Sequence, residues 1–195
     1  MALFWYMRNR KYFKSLFLEV ALNAQEKAKE SHIRLYRRLW ISRRDLTEAQ
    51  DILDTILALN LPLPRRDPPS PLLNALTIGI VISYSRPFID SRGCSVVAER
   101  KLPGILLRTL SPKQRGIHDS IIQVRNKEIA HSDAEILELS LHLFPGGDSC
   151  ICRETRAPFR RQELRVIRKI IDKILDEIER ECEKIRQVLP HFVDL

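Results

Sequence analysis

Glycine is scarce in this chain, six residues in 195, and none lies in a pattern that cradles a phosphate. Gly146-Gly147, between Pro145 and Asp148, has the composition of a turn between strands. Cysteine is scarcer still: Cys94, Cys150, Cys152 and Cys182. No two have CxxC spacing and no Cys/His pair completes a zinc set, which excludes a disulfide scaffold and a zinc module. The carboxylates Asp51, Asp54, Asp119, Glu128 and Asp133 show no ligand spacing with histidine, so no metal and no cofactor is expected. A long hydrophobic run is also missing. The longest uncharged stretch, Pro68 to Ser85, opens with three prolines and contains several polar residues, so it reads as a buried helix and not as a membrane span. At the start of the chain, apolar Ala2 to Met7 precedes the basic Arg8, Arg10, Lys11 and Lys14, the reverse of a secretion signal. With free thiols, this order leads us to expect a cytoplasmic protein with no membrane partner.

Negative charge is short only at one end. Residues 1–44 hold 11 Lys/Arg against 3 Asp/Glu, whereas residues 45–195 hold 22 of each. The whole net charge of +8 therefore belongs to the first 44 residues. That segment is aromatic and basic, with weak helical spacing at Leu16, Val20 and Ala24. It reads either as an arm that contacts anions or the fold, or as a poorly ordered extension. The domain proper is expected to run from 45 to 195.

Helices dominate that domain. Asp45 with Glu48 three residues later is a capping-box variant that opens a helix to Leu61, with Leu46, Ala49, Ile52, Leu53, Ile56, Leu57 and Leu59 as its apolar stripe. Five of the eleven prolines fall in residues 62–71 and make a stiff connector. Ser70-Pro71 then starts a second helix, which Arg86-Pro87 closes. Ser111-Pro112, completed by Gln114, starts a third, expected to reach about Ser132. From Ala134 the period changes: Leu137, Leu139, Leu141 and Leu143 alternate, the turn follows, and Cys150 and Cys152 alternate on the return, which predicts a β-hairpin with His142 on its solvated face. Phe159 to Leu189 is a long amphipathic helix in which Leu164, Ile171, Ile178 and Ile185 recur every seven residues. The stripe is either the core of the chain's own bundle or a dimer seam. The fold class is therefore all-α: about four main helices with a small β-hairpin insertion before the last long one.

The third helix carries the residues of chemical interest. At 100° per residue, Arg125 falls in the middle of the apolar arc formed by Ile117, Ile121, Ile122, Val124 and Ile129, with His118 beside it and His131 at the edge. A guanidinium there is costly unless paired, so Arg125 is either pinned by a buried carboxylate or aimed into an anion-binding cleft. Residues 86–131 carry nine Lys/Arg against four Asp/Glu, which reads as a basic patch around such a site or as a solvated face.

The string Val-Arg-Asn-Lys-Glu-Ile-Ala-His-Ser-Asp at 124–133 resembles the signature of HEPN domains (higher eukaryotes and prokaryotes nucleotide-binding): Arg, four to six residues, then His, often with Asn after the Arg. Arg125, Asn126 and His131 match it. Tyr84-Ser85-Arg86-Pro87-Phe88, followed by His118, resembles the subgroup that includes abortive-infection (phage-exclusion) proteins. The resemblance covers roughly residues 45–190. Arg186 and His191 have the same spacing, but Pro190 lies between them and no Asn follows the Arg, so we set them aside.

The resemblance implies a helical bundle that forms a homodimer, with RNA as substrate and an antitoxin or regulatory protein as a further partner. Many such domains are metal-independent ribonucleases; others are non-catalytic modules that bind a nucleotide or a protein. Where several toxin-type members carry Tyr two residues after the His, this chain has Asp133. The chemistry is coherent. Metal-free RNA cleavage to a 2′,3′-cyclic phosphate and a 5′-OH needs a proton carrier near neutrality, which His131 is, and a cation on the phosphorane, which Arg125 is. Asn126 would hold phosphate or the His131 tautomer, and His118 would support. One His supplies one proton role, so a second His131 across the dimer would complete the set. The reading leans toward an enzyme. Its rivals are the non-catalytic HEPN module and an unrelated helical protein whose basic arm contacts nucleic acid.

Overall fold

The computed structural model describes residues 2–59, 70–90, 98–126, 138–144, 146–153 and 159–189. Four α-helices account for most of them: α1 (Ala2–Ala58), α2 (Pro71–Ser85), α3 (Pro112–Val124) and α4 (Arg161–Val188). Short 3₁₀ turns at Arg86–Phe88 and Gly104–Leu107 join α2 to α3. Glu138–Phe144 (β1) and Gly147–Arg153 (β2) pair antiparallel, with His142 opposite Ser149 and Leu141 opposite Cys150. The proline-rich connector, 60–69, lies outside the described residues, as do Cys94 and the expected end of the third helix beyond 126.

The helix starts follow their local chemistry. Ser70 Oγ accepts from the Leu73 amide at 3.2 Å, with Pro71 in the first turn where no amide partner exists. Ser111 and Gln114 make a reciprocal box: the Gln114 amide donates to Ser111 Oγ at 3.3 Å, and the Ser111 amide donates to Gln114 Oε1 at 3.1 Å. At the head of α4 the Arg160 amide donates to Glu163 Oε2 at 2.7 Å.

Asp45 does not open a helix. It lies inside α1, which continues unbroken from Ala2, and its carboxylate faces Arg86. The helix continues because its buried stripe continues. Leu39 and Ser42 are fully buried upstream of Leu46, Ala49, Leu53 and Ile56, and Leu35 and Tyr36 pack partly against the same core. The packed body therefore reaches back to about residue 34, where the Glu99 amide donates to the Arg34 carbonyl. At 1.5 Å per residue the 57 residues of α1 span about 85 Å. Upstream of the body, Val20, Asn23 and residues 25–31 are exposed.

α1 packs on α2 and α4, and α3 packs on α2 and α4. The seven-residue stripe of α4 closes the core: Leu164, Ile167, Ile171, Ile174, Ile178 and Ile185 are buried within this one chain, with Cys182 among them. Burial pushes the Cys182 thiol up, which leaves it an inert apolar filler. Between α1 and α4, Arg43 bridges Glu179 at 2.9 Å and Arg168 bridges Asp54 at 3.1 Å. Among the described residues no helix is long and apolar enough to cross a membrane.

Candidate functional site

α3 presents two very different environments along one face. Near its middle, His118 is only 5% exposed. Its Nδ1 lies 2.9 Å from the Tyr84 hydroxyl on α2, and its ring meets Phe88 edge-on with centroids 4.6 Å apart. Tyr84 and Phe88 also touch, at 5.4 Å between centroids. Burial lowers the pKa of His118, against the Asp119 carboxylate, which raises it; burial likewise raises that of Tyr84. The neutral imidazole therefore belongs to the packed interior. His118 ties α3 to the end of α2 and does not face an open cleft with Arg125, which is seven residues and about 10 Å further along the helix.

At the C-terminal end of α3 the Arg125 amide is shared between the carbonyls of Ile122 and Ile121, three and four residues back, and Arg125 and Asn126 lie in a π-type turn. Arg125 is half-buried and Asn126 exposed. Arg125 Nη1 donates to Asn126 Oδ1 at 3.1 Å. Among the described residues no carboxylate pairs with this guanidinium; Glu128 and Asp133 lie outside them. His131, the third residue of the motif, lies outside the described residues, and so does Lys127.

The surrounding basic residues are largely committed. Arg86 reaches Glu48 at 3.1 Å and Asp45 at 3.5 Å, Lys101 reaches Asp90 at 3.4 Å, and Arg115 donates to the Leu107 carbonyl at 3.0 Å. The same holds on α1, where Arg34 pairs with Glu99 and Arg43 with Glu179. The excess of positive charge in residues 34–44 thus partly serves the fold.

Sequence reasoning missed a polar seam between α1 and α2. Arg38 is buried, and its Nη2 donates to the carbonyls of Arg86 at 2.8 Å and Pro87 at 3.1 Å. Burial lowers its pKa, partly offset by Asp45. Arg38 Nε, Ser42 Oγ and Ser85 Oγ are buried along this seam without a hydrogen-bond partner among the described residues. Arg38 therefore fixes the turn that carries Phe88, and through Phe88 and Tyr84 the seat of His118. The available signal was the spacing of Arg38 and Ser42, four apart on the line that leads to Leu46 and Ala49.

Among the described residues, no group of three His, Cys, Asp or Glu could hold a metal ion. No family model, no curated protein and no solved structure matches the chain.

Proposed function

We propose that this chain is a HEPN-like helical protein, with a β-hairpin inserted before its last helix, that acts on RNA as a metal-independent endoribonuclease of toxin-like or phage-defence type. The observation that carries the reading is the end of α3, where the half-buried Arg125 guanidinium donates to the side chain of its motif neighbour Asn126. In this reading its other N–H donors serve an anion. Arg125 stabilises charge on the phosphorane as it forms. His131, six residues on, takes the 2′-OH proton or returns one to the 5′-oxygen. Asn126 orients the guanidinium and offers its amide to phosphate. The products are a 2′,3′-cyclic phosphate and a 5′-OH. The protein would act in the cytoplasm as a homodimer, with an antitoxin or regulatory protein as its control.

One observation favours a second reading. His118 is sealed against Tyr84 and Phe88, so the motif supplies a single proton carrier per chain. A module that binds a nucleotide or a protein without cleaving RNA needs no second one.

Cleavage of a mixed RNA pool in EDTA separates the two. The nuclease reading expects cyclic-phosphate ends from the wild type, and loss of cleavage in both Arg125→Ala and His131→Ala. A folded wild type that leaves RNA intact but binds nucleotides through Arg125 favours the module. Cleavage that survives both substitutions overturns the assignment of the site.

A further inference from the structure

The outer face of α1, opposite its buried stripe, is unusual in composition. Trp40 is 58% exposed and Ile41 48%. A groove of about 430 Å³ runs from Trp40 past Arg43, Arg44, Thr47, Glu48 and Asp51 to Ile52, which itself packs over Gly79 of α2. Its charges are not equivalent. Arg43 is spent on Glu179 and Glu48 on Arg86. Arg44 and Asp51 remain, exposed and without an ion pair among the described residues. One free positive and one free negative charge thus stand seven residues apart on the same face, two turns or about 10 Å.

At 100° per residue, Arg44 and Asp51 both fall within about 10° of a line midway between Thr47 and Glu48, and Trp40 and Thr55 lie within about 30° of it on either side. Although Glu48, held by Arg86, maps onto Thr47 and Arg37 onto Ala58, the two charges left without an ion pair among the described residues, Arg44 and Asp51, map onto each other with opposite sign about the 47–48 midpoint. That is the property an isologous contact requires: the same patch on both partners, complementary to itself under a two-fold axis.

We propose that this face is a docking surface for a second copy of the chain, with the two α1 helices antiparallel and the axis passing between Thr47 and Glu48. Arg44 then faces Asp51 of the partner subunit and Asp51 faces Arg44 of the partner subunit. The Trp40 ring covers Thr55 of the partner subunit at each end. An aromatic anchor beside an arginine is the composition that dominates protein contacts, and here the paired charges set direction and register. A nucleic acid fits the groove less well, because the free charges on it sum to zero. The inference does not rest on the nuclease reading, since neither Arg44 nor Asp51 belongs to the α3 site.

Sedimentation of the full chain over a wide concentration range tests it. The expected result is a monomer–dimer equilibrium that R44D or D51R weakens at least about tenfold, since either change sets like charges opposite each other twice in the dimer. The double variant R44D/D51R swaps both signs and restores association. Trp40→Ala weakens it without changing the helical circular-dichroism spectrum. A chain that stays monomeric overturns the proposal. So does a dimer indifferent to both reversals, or one that the charge swap fails to restore. Binding of single-stranded RNA that is lost in Trp40→Ala, in a chain that never dimerises, would hand the groove to nucleic acid instead.

Discussion

The Tyr84 hydroxyl and the His118 Nδ1 lie 2.9 Å apart in the core, one on α2 and one on α3, and each is the other's hydrogen-bond partner. Tyr84→Phe keeps the ring and removes the hydroxyl, so it strands a buried ring nitrogen. Leaving such a group unpaired costs about 1–3 kcal/mol. Urea unfolding is expected to show that loss with the m-value unchanged. Tyr84→Ala should cost more, about 3–5 kcal/mol, because a cavity is added to the lost bond. A Tyr84→Phe variant as stable as wild type would mean that the contact adds nothing to α3 docking.

The same pair predicts a pH dependence. Burial, the largest cause, lowers the His118 pKa below its ordinary 6.5. Between the folded and unfolded values the unfolded chain binds the extra proton, so stability falls as pH drops below about 6.5. Asp45 works the other way at lower pH. Its burial raises its pKa, so folded chains take up a proton before unfolded ones do, and acidification through that range relieves a cost. The measurement is a difference between two chains. Wild type should lose more stability than His118→Gln between neutral and mildly acid pH. Parallel curves would put the slope on other groups.

A third expectation concerns Arg38, whose Nη2 holds two carbonyls at the end of α2. Arg38→Met fills much of the same volume but removes the donor. We expect about 1–3 kcal/mol of destabilisation, chiefly from the Arg86 carbonyl, since the Pro87 carbonyl keeps the Leu102 amide as a donor. Arg34→Met, which removes only the half-exposed pair with Glu99, should cost no more than about 1 kcal/mol. Equal losses in the two variants would show that burial of the Arg38 guanidinium is not what holds the turn.

Crowding decides the fourth. A Cβ on Gly79 would sit 3.1 Å from Ile52 Cδ1, the tip of a half-buried side chain. Gly to Ala inside a helix gains about 1 kcal/mol of propensity, and Ile52 must move a few tenths of an ångström in exchange. Gly79→Ala alone is expected to be close to neutral. In an Ile52→Val background the clashing methyl is gone, and the same substitution should stabilise by about 0.5–1 kcal/mol. Thermal melts of the four chains form a cycle that reads the coupling directly.

The beginnings of α2 and α3 were legible because Ser-Pro pairs make a helix start out of covalent geometry, and α4 because seven-residue spacing survives any local detail. The start of α1 was not legible. Asp45 and Glu48 look like a capping box, and the buried stripe above them is interrupted by Arg38 and Ser42, residues that a pattern of apolar positions passes over. At the candidate site the wheel placed His118 and Ile121 inward, as the structure has them. It placed Arg125 at the centre of the same arc, where the structure has it half-buried at the end of the helix. Tyr84 carried no signal of its role, because its partner lies 34 residues away and only packing brings the two together.

The course of α1 predicts where the chain tolerates truncation. The charge boundary at residue 44 suggested a detachable arm, yet Leu39 and Ser42 are fully buried and Arg38 nearly so. Removing residues 1–44 would take all three from the core and take the Arg38 donor from the Arg86 carbonyl, while the Pro87 carbonyl keeps the Leu102 amide. Removing residues 1–30 keeps Arg34, whose carbonyl accepts the first backbone link to the body among the described residues, and keeps Leu35 and Tyr36, which pack against the core. The shorter deletion is therefore expected to melt cooperatively at a temperature near that of the full chain. The longer one should lose the cooperative transition, because the lost side chains alone are worth several kcal/mol against a total of about 5–15 kcal/mol. Circular-dichroism melts of both decide it. A folded 45–195 fragment would return residues 31–44 to the status of an appendage, and any effect of that deletion on RNA binding could then be read as loss of an arm rather than loss of the fold.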